Sequence, residues 1–300
     1  MKIGIFGGDT AGRTIDDVVA DARVAEADGF ESYTLPQIFA LDAMGVLAVV
    51  GREVPRIGLM TGVVPTYGRH PLTMAQQALT VQAASGGRFT LGIGLSHQLV
   101  IEGMFGLSFE KPVRHMREYL AALIPLINEG KASAQGETIS TEASLGIEPR
   151  IACPVLVAAL GEQMLKLAGT VTDGTMTWMT GPATLAAHTV PTISAAAKAA
   201  GRPAPRIAAS LPICVTNDVD AARERAARDF QVYGFLPSYR AMLDREGAEG
   251  PADVAIVGDE ATVEKCVRAL GDAGVSEFVA AEFGSREERT QTRALLKSML

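Results

Sequence analysis

The sequence predicts a (β/α)8 TIM barrel with insertions at the carboxyl face of its strands. Short, β-branched apolar runs alternate with alanine-rich amphipathic segments along the whole chain, the pattern of parallel strands joined by right-handed helical crossovers. Eight such strands, each followed by a helix, suit a closed barrel better than an open sheet, and 300 residues is a usual size for one barrel domain over 1–300. Two neighbouring strands also end in glycines, at Gly62 and at Gly92 and Gly94. Glycine weakens a buried strand, so these positions imply that something approaches the backbone closely. Parallel α/β folds place their ligands at that end.

The expected strands are 2–6, 31–35, 56–63, 89–93, 154–158, 174–178, 206–213 and 276–281. The expected helices are 14–28, 41–51, 72–84, 112–128, 161–170, 183–200, 219–231, 260–273 and 286–298. In the first helix Thr14 supplies an N-cap, and Asp16 and Asp17 place acids where the helix dipole favours them. Ile15, Val18, Val19, Ala22 and Ala25 form its inner stripe, Glu26 interrupts that face, and Gly29 ends it. Val263, Val267 and Leu270 recur at the same spacing before Gly274. Three segments break the alternation. Residues 95–111 are a long loop, 131–150 carry a short hairpin or irregular excursion, and 234–257 are irregular. Long loops of this kind tend to shape binding sites.

Composition excludes several function classes. The chain is 48% hydrophobic and 20% charged, with a net charge of −7 from 27 basic and 34 acidic residues. No block of Lys and Arg interrupts that balance, so nucleic acid is not an expected partner. Cys153, Cys214 and Cys266 are far apart, each in an apolar run, with no CxxC or Cys/His cluster. Zinc and redox-pair chemistry therefore lack support, and buried free thiols in a reducing cytoplasm are expected. Residues 1–8 form a short apolar strand without the features of a signal peptide, and no run is long enough to span a membrane. A soluble, cytoplasmic protein acting on a small molecule follows, with alanine-rich outer helices suited to a homodimer.

Thr61-Gly62-Val63, Pro65, Arg69-His70-Pro71, Ala75-Gln76-Gln77, Gly87-Arg88-Phe89 and Leu91-Gly92-Ile93-Gly94 together resemble the bacterial luciferase-like flavin and deazaflavin oxidoreductases. Pro154 to Gly161, Met164, Leu167-Ala168 and Asp173-Gly174 form a second block, and Asp218 to Arg225 with Val257-Gly258-Asp259 a third. The blocks span nearly the whole chain in the family's order and are most similar to its actinobacterial deazaflavin branch. The resemblance implies a barrel whose mouth binds coenzyme F420, with FMN as the alternative cofactor. It also implies hydride transfer between the deazaflavin C5 and a small organic substrate. An FMN-dependent monooxygenase and a deazaflavin-binding protein without turnover are the competing functions.

The resemblance further implies a non-proline cis peptide at Gly62-Val63, forming a bulge behind the cofactor ring, with Val63 and Val64 against it. A packing glycine is the alternative for Gly62. Gly94 would keep the neighbouring strand end flat beneath the ring. Ala159, Leu160, Gly161, Glu162, Gln163 and Met164 span a strand-to-helix junction, where free N–H groups and the helix dipole attract phosphate. Gly161 could equally be an ordinary helix start, and Glu162 suits a phosphate neighbour only if its side chain points outward. Thr180 and Gly181 could add a hydroxyl and an N–H. Trp178, the one tryptophan, serves either the core or the ring.

His97 is the acid/base candidate, where related sugar-phosphate dehydrogenases of the family carry a glutamate; a solvated loop histidine is the alternative. His115 and His188 fall on helices and are assigned no chemistry. The family's acid-histidine pair at the end of strand 31–35 is replaced by Leu35-Pro36-Gln37-Ile38-Phe39. Gln37 could hydrogen-bond a ring or a carbonyl but cannot exchange protons, and Phe39 would narrow the entrance.

Overall fold

Strands covered on both faces must be apolar on both faces, and the burial of the central strands follows that rule. The computed structural model describes residues 1–148 and 151–300. Its strands are β1 (Lys2–Phe6), β2 (Ser32–Leu35), β3 (Gly58–Thr61), β4 (Val64–Pro65), β5 (Phe89–Gly94), β6 (Lys131–Ala134), β7 (Thr141–Ser144), β8 (Val155–Val157), β9 (Gly174–Trp178), β10 (Arg206–Val215), β11 (Ile256–Gly258) and β12 (Glu277–Glu282). Every residue of β2, β5 and β8 is buried. Eight parallel strands run in the order β1-β2-β3-β5-β8-β9-β10-β12. Pairing of β12 with β1, from Lys2 opposite Glu277 to Ile5 opposite Ala280, closes the (β/α)8 barrel.

The helices are α1 (Ile15–Asp28), α2 (Ala43–Glu53), α3 (Pro71–Ala84), α4 (Gln98–Gly103), α5 (Pro112–Glu129), α6 (Glu162–Val171), α7 (Pro182–Thr184), α8 (Val190–Ala199), α9 (Val219–Asp229), α10 (Pro237–Glu246), α11 (Pro251–Val254), α12 (Glu260–Asp272) and α13 (Arg286–Ser298). A π turn over Leu185–Thr189 joins α7 to α8, and a 3-10 turn over Gln231–Gly234 lies between α9 and α10. Thr14 and Asp17 form the reciprocal capping box at the start of α1, and Gly29 ends that helix in the left-handed region at φ 93°. Val18, Val19, Ala22 and Ala25 are buried as expected. Ile15 is not: it is 40% exposed. Glu26 stays on the inner face by accepting the N–H groups of Arg56 (2.5 Å) and Ile57 (2.8 Å).

Met60, Leu156, Met176, Ala208 and Val279 fill the barrel interior, with Phe6 and Val63 packed against them from the mouth. The opposite end is closed by polar groups. Glu277 is fully buried there, paired with Arg206 and accepting the Ser32 hydroxyl at 2.5 Å. Both oxygens of the buried carboxylate thus have a partner, Oε1 from Ser32 and Oε2 from Arg206, and Arg206 also donates to Thr90 Oγ1 at 2.9 Å.

The three irregular segments are partly ordered. The 131–150 insertion is an antiparallel β6–β7 hairpin, and its last two residues lie outside the described residues. The expected loops 95–111 and 234–257 contain α4, α10, α11 and β11, elements too short to show a hydrophobic period. Cys153 and Cys214 are buried, whereas Cys266 faces solvent on α12.

Candidate active site at the barrel mouth

The glycines at the ends of β3 and β5 serve one feature. The peptide bond between Gly62 and Val63 is cis, and the chain leaves the sheet there before rejoining it as β4. Thr61 Oγ1 accepts the Gly92 N–H at 2.8 Å and donates to Gly92 O at 2.9 Å. A Cβ on Gly92 would collide with the Thr61 carbonyl oxygen. One on Gly94 would lie 2.8 Å from Val63 Cγ2 and 3.2 Å from Ala158 Cβ. One on Gly62 would lie 2.7 Å from Thr34 Cγ2 and 2.8 Å from Met176 Cε. The bulge therefore needs small residues beneath it and on its own strand. Gly94, expected to keep the strand end flat beneath a cofactor ring, is buried with Val63 lying over it. Val64, also expected at the cofactor, is fully buried and pairs with Ile93, so it supports the bulge from behind. Gly62 and Val63 are both half-buried, and Val63 packs against the side chains that fill the barrel interior.

The turn after β8 leads into α6. Gly161 is its N-cap in an extended conformation, and no side chain caps the helix. The first intrahelical bond runs from the Leu165 N–H to Gly161 O at 2.9 Å, leaving the N–H groups of Glu162, Gln163 and Met164 ahead of it. A Cβ on Gly161 would meet nothing within 4 Å. Glu162 pairs with Lys166 at 2.6 Å on the exposed side of α6, which holds its carboxyl below the usual range and turns its charge away from the turn. Gln163 is exposed, while Met164 and Ala159 are buried, the Ala159 N–H donating to Thr175 Oγ1 at 3.3 Å. Leu160 is fixed by a residue that the sequence left without a role. The π turn carries His188, whose Nε2 donates to Leu160 O at 2.8 Å.

The turn after β9 is closed to ligands. Glu246 of α10 accepts the N–H groups of Ala183 (3.0 Å) and Thr184 (2.7 Å), and a Cβ on Gly181 would run into its carboxylate. Thr180 is buried and its hydroxyl donates to Trp178 O at 3.3 Å, so the expected contribution of Thr180 and Gly181 to a ligand is spent within the fold.

Trp178 stacks on Phe6 with ring centroids 5.7 Å apart and planes 14° from parallel. Tyr233 meets its edge at 5.7 Å, Tyr239 meets Tyr233 at 5.2 Å, and His97 lies 5.5 Å from Tyr239. The rings form a continuous ladder from β1 to the loop after β5, and each is half-buried. His97 reaches it because the chain turns at Ser96 (φ 60°), which leaves His97 extended at the start of α4 without capping it. Burial holds the His97 imidazole below its usual value, so it is neutral at pH 7, and burial raises the phenols of Tyr233 and Tyr239. Neither tyrosine was legible as a site residue: Tyr239 lies in the expected irregular segment 234–257 and Tyr233 just before it.

Gln37 does not serve a ligand through its carbonyl. Its Oε1 accepts the Ala43 N–H at 2.8 Å at the start of α2, and its Nε2 faces Ile38 O at 3.4 Å. Phe39 is 62% exposed at the rim. His70 caps α3 through Nδ1, 3.3 Å from the Leu72 N–H. His115 stacks on Tyr67 at 3.9 Å and bonds Thr66 Oγ1 at 3.0 Å; burial pushes it down to about 4.

A family model described as luciferase-like monooxygenase matches residues 1–288. A 5,10-methylenetetrahydromethanopterin reductase of Methanolobus tindarius is 29% identical over 239 residues, which cover 79% of this chain and 72% of that protein. A Mycobacterium tuberculosis protein described as a coenzyme F420-dependent oxidoreductase is 28% identical over 268 residues, covering 85% and 76%. Among solved structures, the coenzyme F420 dependent tetrahydromethanopterin reductase of Methanopyrus kandleri superposes with a TM-score of 0.80 at 22% identity, over 99% of this chain and 96% of that one.

Proposed function

The chain belongs to the luciferase-like monooxygenase family, a family of oxidoreductases, and from that premise we propose that it is a coenzyme F420-dependent oxidoreductase acting on a small organic substrate. The observation that carries the reading is one mouth that holds both a bulge and an uncapped helix start. Val63 at the bulge offers an apolar backing for a flat ring, and the bare α6 start offers three N–H groups and open space for a phosphate. The residues present fit the cofactor, because Gly161 has no neighbour that requires it to be glycine and Glu162 is turned aside by Lys166.

When bound, the deazaflavin supplies or receives a hydride at C5. The protein binds, orients and moves protons. Val63 would back the ring, and the backbone N–H groups of Gly161, Glu162, Gln163 and Met164 would hold the phosphate. His97, neutral at pH 7, would accept a proton from a substrate hydroxyl as that carbon gives up hydride, and as the imidazolium so formed would return the proton in the reverse direction. Gln37 leaves that role to His97, because its amide cannot exchange a proton on this path and its carbonyl is held by α2.

Trp178 is the one tryptophan, so its fluorescence reports on the mouth without any turnover. Titration with coenzyme F420 should give saturable quenching, with FMN at least about tenfold weaker, equivalent to about 1.4 kcal/mol. Tighter FMN binding with NAD(P)H-driven oxygen uptake would overturn the reading in favour of a flavin monooxygenase. His97→Ala should lower turnover on the order of 100-fold while the coenzyme Kd stays within about twofold, a change of about 0.4 kcal/mol. Unchanged turnover would remove His97 from the mechanism.

A further inference from the structure

We propose that the cavity at the amino-terminal end of the barrel, opposite the mouth, is a second binding site, in which Arg88 and Thr90 receive a small organic oxyanion. This site is independent of the cofactor proposed above.

Four barrel strands begin with polar or charged residues at that end: Lys2 on β1, Ser32 on β2, Arg206 on β10 and Glu277 on β12. With Arg56 and Arg88 from the loops before β3 and β5, they line a cavity of about 1040 Å³. The volume is at the upper end of the range for small-molecule sites, at an end of the barrel that ordinarily serves stability alone.

Charge is left over there at Arg88. Lys2 pairs with Glu31, Arg56 with Glu26 at 3.1 Å and Arg206 with Glu277, so each carboxylate lining the cavity is matched. Among the described residues, none forms an ion pair with Arg88. Its guanidinium donates to Ile57 O at 2.6 Å and to Gly51 O at 2.8 Å. Gly51 lies near the end of α2, whose dipole offsets a full positive charge only in part. Arg88 is half-buried, and burial pulls its pKa below the usual guanidinium value against a smaller opposing effect of Glu26. A cation withdrawn from water without a counter-ion is destabilising. An oxyanion removes that deficit, because a guanidinium meets phosphate or carboxylate oxygens through two parallel bonds. The excess is local, since the chain as a whole carries a charge of −7.

Thr90 supplies a second, independent observation. It is 6% exposed and lines the same cavity. Its Oγ1 accepts from Arg206 at 2.9 Å, and among the described residues its own hydroxyl proton meets no acceptor. The buried carboxylate cannot take that proton's bond, as both Glu277 oxygens are engaged by Ser32 and Arg206. The lining thus has spare donors and spare positive charge, the complement of an anionic oxygen.

The test titrates the full chain with inorganic phosphate and with succinate at neutral pH and constant ionic strength, followed by calorimetry and by Tm. Wild type should bind at least one of them with a Kd at or below about 1 mM. Binding of phosphate alone identifies a phosphoryl ligand, and binding of succinate alone a carboxylate. Arg88→Met should weaken the binding at least about tenfold. Thr90→Val keeps the shape and removes only the hydroxyl; it should weaken binding about threefold or more, and it decides the matter where Arg88→Met does not fold. Gly161→Val, altered at the opposite end of the barrel, should keep the Arg88-dependent binding. Loss in Gly161→Val would place the anion at α6 and overturn the second site. Neither heat nor a rise in Tm with either anion, or undiminished binding in either folded variant, would overturn it as well.

Discussion

The turns after β8 and β9 have nearly the same backbone and opposite surroundings. Gly161 opens α6 at φ −75° and ψ 152°; Gly181 opens α7 at φ −76° and ψ 168°. Neither helix start is capped by the side chain of its own N-cap residue. At the first, a Cβ would meet open space; at the second, the Glu246 carboxylate already bonds two N–H groups. Pro182 removes a further donor from the second turn. Two helix starts with the same local grammar thus differ in whether an anion can reach them. The decision rests with a residue 65 positions beyond Gly181, since 246 minus 181 is 65.

Substitutions at the two turns should separate them. Gly161→Val has the largest expected effect: a branched side chain would fill the space that a phosphate needs, weakening coenzyme F420 by about 10- to 100-fold, or about 1.4–2.8 kcal/mol. Gly161→Ser sharpens the point, because a serine hydroxyl caps the helix itself. It should raise Tm slightly while weakening the coenzyme, and a variant with unchanged affinity would break the assignment of the phosphate to α6. Glu246→Ala should cost about 1 kcal/mol of stability through the lost cap, or about 2–4 °C in Tm, with coenzyme affinity unaltered. A gain in affinity on emptying that turn would place the phosphate at α7 instead. His188→Ala should cost less, a few-fold in coenzyme affinity, by freeing Leu160 O and loosening the first turn.

His115 provides a control remote from both turns. Its folded value of about 4 lies below the ordinary 6.5. Above 6.5 neither state is protonated there, and the group has no effect on stability. As pH falls from 6.5 toward 4, the unfolded chain binds a proton that the folded chain refuses, so stability is lost across that window. His115→Gln should flatten the fall in Tm between those pH values and leave the coenzyme titration unchanged. A parallel shift in coenzyme affinity would mean that the two regions are coupled.

Local rules made much of the fold legible. Thr14, Asp17 and Gly29 bound α1 through capping chemistry that acts within one helical turn. The glycines at 62, 92 and 94 marked a close approach, but the partner was read as a ligand when it is largely protein: Gly92 makes room for Thr61 and Gly94 for Val63. Gln37 pointed to a ligand by its place at a strand end, yet the α2 start captured its carbonyl. Tyr233, Tyr239, Glu246 and His188 carry no local pattern at all, since each acts on a residue far away in the chain.

The sequence by itself determined the alternation of strand and helix, the barrel, the family and the glycine-marked strand ends of its mouth. Those properties follow from hydrophobic period, capping residues and glycine placement, all of which are short-range. Tertiary structure alone decided which of two glycine turns is open, which polar side chains are consumed by the fold, and which rings stack into one ladder. Those outcomes depend on contacts between distant segments, where one carboxylate or one imidazole from a remote helix is enough to close a site or hold it open.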